Sequence, residues 1–183
     1  MEQVPEPVRR YESYTHEAMA AEVAAGNDPA GAGQIGGQWA ALGERLRESV
    51  RVLNSVSDRS REAWEGTAGD TVRDTLAKAA GWSEQATEVS YAMSDAVVQQ
   101  AGIAARARAE MPPPVPFDPV GMIYDAMHSG KLLPLLGLSD ALAARRDESA
   151  AARRKAIDVM NARDAALQAA VPARAFDAPP DLS

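Results

Sequence analysis

Between Thr67 and Glu110 the chain carries no proline, and its only glycines are Gly69, Gly81 and Gly102. Val72, Leu76, Ala79, Ala86, Val89, Met93 and Val97 recur along this run at helical spacing, and Ala101 and Ala104 extend the stripe. About 44 residues rising 1.5 Å each make a helix of roughly 65 Å. An element that long overshoots a compact globule of 183 residues, so a rod is expected. Composition agrees on the class. Alanine, glutamate and arginine are abundant while phenylalanine and β-branched residues are scarce, which favours helix and argues against sheet. The expected fold class is all-α.

A second long helix precedes this one. Ile35, Trp39, Leu42, Leu46, Val50, Leu53 and Val56 recur at steps of three or four, a narrow apolar seam that stops around Ala63. The stretch "GNDPAGAGQIGG" reads as a break, which places the start of the helix near Gly37. Only "WEGT" separates the two long helices, so they are expected to form an antiparallel hairpin over 37–110 with its bend at 64–67. Gly66 supplies the positive φ that stops the first helix, and Thr67 is the expected cap of the second. Trp64 can either plug the open end of the seam or present itself for recognition.

The remaining segments are shorter. Pro5 and Pro7 mark an extended lead-in, and "RRYESYTHEAMAAEVAAG" reads as a short leading helix closed by Gly26. The prolines of "MPPPVPFDP" end the long helix. "PVGMIYDAMHSG" is expected as a brief helix and "KLLPLLGL" as a kinked apolar link, together an apolar tip over 115–138. Ser139 is the expected cap of a last helix over 139–170, and 173–183 reads as a proline-rich flexible tail. One helical domain over 1–172 is expected.

Several chemistries find no support in the residues. The net charge of −7 has its signs interspersed and offers no field for nucleic acid. Arg145, Arg146, Arg153, Arg154 and Lys155 are interleaved with Asp147, Glu148 and Asp158, as on a solvated helix face. Cysteine is absent. His16 and His128 are far apart and have no metal-ligand spacing around them, and no serine has a base close by in the sequence. Glu84/Glu88 and Asp147/Glu148 fit ordinary helix surfaces. No catalytic residue, metal or cofactor is expected, and the reading is non-enzymatic. No run approaches the roughly 18 apolar residues of a membrane span, and "MEQVPEPVRRYESY" lacks the apolar core of a cleavable signal peptide.

Trp64-Glu65-Gly66 between two long antiparallel helices resembles the WxG motif of type VII secretion (ESX) substrates in actinobacteria. The order of segments from about Tyr11 to Ala170 is similar to the PPE branch of that group. The Pro-Pro-Glu signature near the N-terminus of that branch is not present, "VPEPV" at 4–8 being a loose echo, so the chain is called PPE-like. The resemblance implies a heterodimer in which a small PE-like helical hairpin completes a four-helix bundle. Ile35, Trp39, Leu42, Leu46, Val50, Leu53, Val72, Leu76, Val89, Met93 and Val97 would supply the interface. The alternative is that the chain covers this flank with its own last helix.

The resemblance also implies a bipartite export signal. Trp64, Glu65 and Gly66 would form one half, and a Tyr-x-x-x-Asp/Glu element on the partner the other. Tyr91-Ala-Met-Ser-Asp95 matches that pattern, but it lies roughly 37 Å up the same helix from the bend and reads as a coincidence. A cytosolic chaperone would dock on the apolar tip at Met122, Ile123, Tyr124, Met127, Leu132, Leu133, Leu135, Leu136 and Leu138, unless these residues plug the end of the bundle. The implied route is synthesis in the cytoplasm and export by type VII secretion to the medium or cell surface. The competing expectation is an autonomous cytoplasmic helical bundle or homodimer.

Overall fold

The computed structural model describes residues 9–25, 28–128, 137–172 and 175–181. Among them the regular structure is entirely helical. A 3-10 turn at Tyr11–Ser13 is followed by α1 (His16–Ala25), α2 (Pro29–Ala63), α3 (Thr67–Glu110), α4 (Pro119–His128) and α5 (Leu138–Ala169). Contacts gather into two compact units. One is Met1–Asn27 with Ile103–Leu167, the other Asp28–Gly102 with Gln168–Ser183.

The first unit packs α1 and the turn before it against the end of α3 and most of α5. Met19 and Val23 of α1 join Tyr11, Ala107, Ala156, Val159 and Met160 in its core. Thr15 starts α1, its hydroxyl accepting the Ala18 amide at 3.1 Å. Three arginines of α5 hold the irregular segments. Arg145 donates to the Pro116 carbonyl, Arg153 to those of Glu12 and Tyr14, and Arg163 to the Tyr11 hydroxyl and Glu22. The Tyr11 hydroxyl in turn donates to Asp164. His16 is buried, a ring nitrogen 2.9 Å from the Pro112 carbonyl, so it is a satisfied core residue.

The second unit is built on α2 and α3 running antiparallel. Gly36 lies opposite Ser94, Gly43 opposite Tyr91 and Ser60 opposite Arg73. The Ser94 hydroxyl donates to the Gly36 carbonyl at 2.9 Å. A Cβ on Gly43 would stand 3.1 Å from the Tyr91 ring. Arg47 covers that ring from 5.1 Å, and Glu44 accepts its hydroxyl. Glycines at 36 and 43 thus share one face of α2 and let α3 come close.

The start of α2 corrects the sequence reading. The helix begins at Pro29, not near Gly37. Asp28 is its N-cap, accepting the Gly31 amide at 3.0 Å, and Pro29 occupies the position where a missing N–H costs nothing. Each interior glycine costs about 1 kcal/mol against alanine, and at Gly36 and Gly43 contact with α3 offsets it. The same Asp-Pro-x-Gly device opens α4, where Asp118 accepts the Gly121 amide at 3.0 Å.

Two expected caps are also corrected. Thr67 lies inside the first turn of α3, where the Gly66 carbonyl accepts the Asp70 amide. Ser139 lies inside α5, whose first bond runs from Ala141 to the Gly137 carbonyl. The ends of the long elements at Ala63, Glu110 and Ala169 agree with the sequence reading.

Two glycines set helix propensity against packing. Gly81 sits on an exposed face of α3, with open space where an added methyl would stand, whereas Gly43 faces the Tyr91 ring. Gly81→Ala is expected to stabilise the chain by about 0.5–1 kcal/mol. Gly43→Val is expected to cost about 1–3 kcal/mol through overpacking. Urea unfolding followed by circular dichroism measures both.

Burial, and then the bond to Asp164, lift the Tyr11 phenol above its ordinary range. A group whose pKa is raised by folding contributes its stability fully below the unfolded value, about 10 for tyrosine, and loses it as pH rises through the folded value. Tyr11→Phe should therefore destabilise the protein at neutral pH, and the difference from wild type should shrink above about pH 10. Urea melts across pH 7 to 11 test the sign.

Candidate functional site

The bend is assembled from three residues and one arginine. α2 ends at Ala63, with the Trp64 amide bonded to the Ser60 carbonyl at 2.9 Å. Gly66 has φ +89°, in the left-handed region that a side chain resists. Gly69 is buried, and a Cβ there would stand 2.7 Å from the Trp64 carbonyl. α3 therefore starts tightly under the end of α2.

Arg73 completes the turn. Its guanidinium donates to the carbonyls of Ser60 at 3.4 Å and Trp64 at 3.2 Å, and pairs with Asp70 at 2.6 Å. The carbonyls left over at a helix end need such donors, and a cation is favoured there. Sequence reading misses Arg73, because nothing local marks it. Its role emerges only when residues 60 and 73 meet across the hairpin.

Trp64 itself is 56% exposed. It is therefore not a plug for the end of the seam, and Glu65 and Gly66 are exposed beside it. The motif is presented outward on a turn whose backbone is fixed from below.

The expected interface residues divide by burial. Val89 is buried. Trp39, Leu42, Leu46, Val50, Leu53, Leu76, Met93 and Val97 are half-buried, and Ile35 and Val72 are exposed. Val52 and Val56 add exposed aliphatic surface to α2. The buried face of α3 between residues 80 and 90 is smaller and more polar than the stripe suggests. Ser83, Thr87 and Ser90 are buried there with Ala80 and Ala86, their hydroxyls bonded to the carbonyls of Ala79, Ser83 and Ala86. Tyr91 is engaged by Glu44, which holds its phenol above the ordinary range, and Asp95 is exposed one turn further on.

The described tip residues belong to the first unit. Ile123, Tyr124 and Met127 are exposed on α4, and Val120 with them, while Met122 and Leu138 are half-buried. Tyr124 stacks on His128 at 4.0 Å. Leu132, Leu133, Leu135 and Leu136 lie outside the described residues, as do Pro5, Pro7 and Gly26. No helix among the described residues is long and apolar enough to cross a membrane, and no cluster of potential metal ligands occurs among them.

No protein-family model and no curated protein matches the sequence.

Trp64 and Arg73 should have opposite signatures in stability. Trp64→Ala should change unfolding free energy by less than about 0.5 kcal/mol, as for an exposed side chain. Arg73→Met should cost about 1–3 kcal/mol, because it removes the guanidinium donor to the Trp64 carbonyl at the turn. A large loss for Trp64→Ala would return the indole to a packing role.

Proposed function

We propose that the chain is a non-enzymatic, PPE-like substrate or targeting module of type VII secretion, carried to the export apparatus as half of a helical heterodimer. The observation that carries this reading is the exposed Trp64 on a bend locked by Gly66, Gly69 and Arg73. A side chain held outward by a rigid turn is a recognition element ready to be covered.

The flank of the hairpin supports the pairing half of the proposal. Ile35, Val52, Val56 and Val72 leave aliphatic surface open on the α2–α3 unit. A PE-like hairpin laid along them would complete a four-helix bundle and bring its own Tyr-x-x-x-Asp/Glu element beside Trp64. Tyr91 does not serve that purpose, because its ring packs on Gly43 and its hydroxyl is committed to Glu44. The exposed stripe Val120, Ile123, Tyr124 and Met127 on α4 supports the chaperone site.

A second reading is an autonomous helical protein that works without a partner. It is favoured by residues 175–181, which make specific contacts with the same hairpin. Phe176 stacks on Trp39, and the Asp177 carbonyl accepts the Trp82 indole N–H. The segment expected as a free tail thus occupies part of the expected interface.

Export separates the two. In a strain carrying the secretion system, Trp64→Ala is expected to leave cytoplasmic amount and helicity unchanged while the protein disappears from the medium and cell surface. Immunoblots of the fractions read the result. Unimpaired export of the variant would remove the indole from the signal, and a cytoplasmic location for the wild type would favour the autonomous reading.

A further inference from the structure

Beyond the end of α5 the chain returns to the α2–α3 unit. Ala170 is buried, and residues 169–172 with Val89, Ala92 and Ala96 of α3 line an open cavity of about 450 Å³. Further on, the Phe176 ring stacks on Trp39 with centroids 5.8 Å apart and planes at 24°. The Trp82 indole N–H donates to the Asp177 carbonyl at 3.0 Å. A second cavity of about 410 Å³ lies beside these anchors, lined by Gln85, Ala86 and Val89.

The anchored segment has no helix or strand of its own, and residues 175–179 are all exposed. Secondary structure and burial therefore do little to hold it. The aromatic stack and the indole donor are contacts that a small local opening releases. The seat itself is built on two long helices.

We infer that the α2–α3 face between Trp39 and Trp82 is a docking seat for an extended peptide bearing an aromatic residue, and that residues 175–181 fill it in cis as a releasable strap. The seat selects by two features. Trp39 takes a flat ring, and Trp82 takes the main-chain carbonyl of the following residue, so the side chain after the aromatic is free to vary. Trp39 and Val89 also belong to the interface expected for a helical partner. If that pairing holds, which rests on the function proposed above, the strap and the partner exclude one another there.

The test uses the full chain and a synthetic peptide of its own residues 168–181, with tryptophan fluorescence and calorimetry as readouts. The chain carrying Phe176→Ala should bind the peptide with a dissociation constant on the order of 0.1 mM. Wild type should bind it roughly tenfold more weakly, because a tethered strap competes at an effective concentration on the order of 1 mM. A peptide with the same Phe176→Ala change should bind neither chain. The chain carrying Asp177→Ala, whose main-chain acceptor is intact, should behave as wild type.

No binding to the Phe176→Ala chain, or equal binding to it and to wild type, overturns the seat. So does an Asp177→Ala chain that behaves like Phe176→Ala. Circular dichroism of each chain should match wild type, since both substitutions lie in the exposed segment. A failed seat leaves the export reading standing, because Trp64 is not part of it. Failed export leaves peptide binding unchanged.

Discussion

Reversing a chain between two helices of 35 and 44 residues within three residues brings one helix's unpaired carbonyls against the other's first turn. That conflict is resolved at a single point. Gly66 turns the backbone through positive φ, Gly69 lets the Trp64 carbonyl approach, and Arg73 donates to the Trp64 carbonyl and adds a second donor to that of Ser60. With the backbone packed this closely, the space beneath the turn is taken up by main chain and the guanidinium. The Trp64 indole is left exposed as a consequence of the same contacts that make the bend. Architecture and candidate signal therefore have one origin.

The hairpin that follows uses small residues where a two-helix contact more often uses large ones. Gly36 and Gly43 on α2 admit Ser94 and Tyr91 of α3, and the neighbouring face of α3 is alanine, serine and threonine. Close approach gains dispersion contacts between backbones at the expense of buried aliphatic area. Gly36 and Gly43 give up helix propensity on α2 to do so. Tertiary contact overrides that local preference. The larger aliphatic side chains, Ile35, Val52, Val56 and Val72, stay at the margins and remain accessible.

Much of this is legible in the residues. The proline-free run bounds α3, and the Trp-Glu-Gly triplet locates the bend. Where sequence reasoning fails, the missing information is three-dimensional. Glycines at 31, 33, 36 and 37 look like a loop until Asp28 is seen to cap the helix and Gly36 to meet α3. Ser83, Thr87 and Ser90 are polar, yet each hydroxyl bonds a carbonyl one turn back and so can be buried without a partner from elsewhere. Arg73 looks like one charge among many. The tail looks free because proline and alanine carry no signal for packing, and only the meeting of Phe176 with Trp39 reveals an anchor.

The exposed indole also sets the energetic scale of the proposed recognition. Roughly half of a tryptophan surface stands open at Trp64, on the order of 140 Å² for a side chain of this size. Covering that area is worth about 3.5 kcal/mol at the usual transfer coefficient, the range in which one residue dominates an interface. The turn beneath is already held by the hydrogen bonds of Arg73, so less conformational entropy remains to be lost when a partner closes over it. A flexible loop bearing the same tryptophan would forfeit much of that gain. On the proposed reading, the backbone geometry at Gly66 and Gly69 is therefore as much a part of the candidate signal as the indole, because it holds Trp64 outward at the elbow of the hairpin.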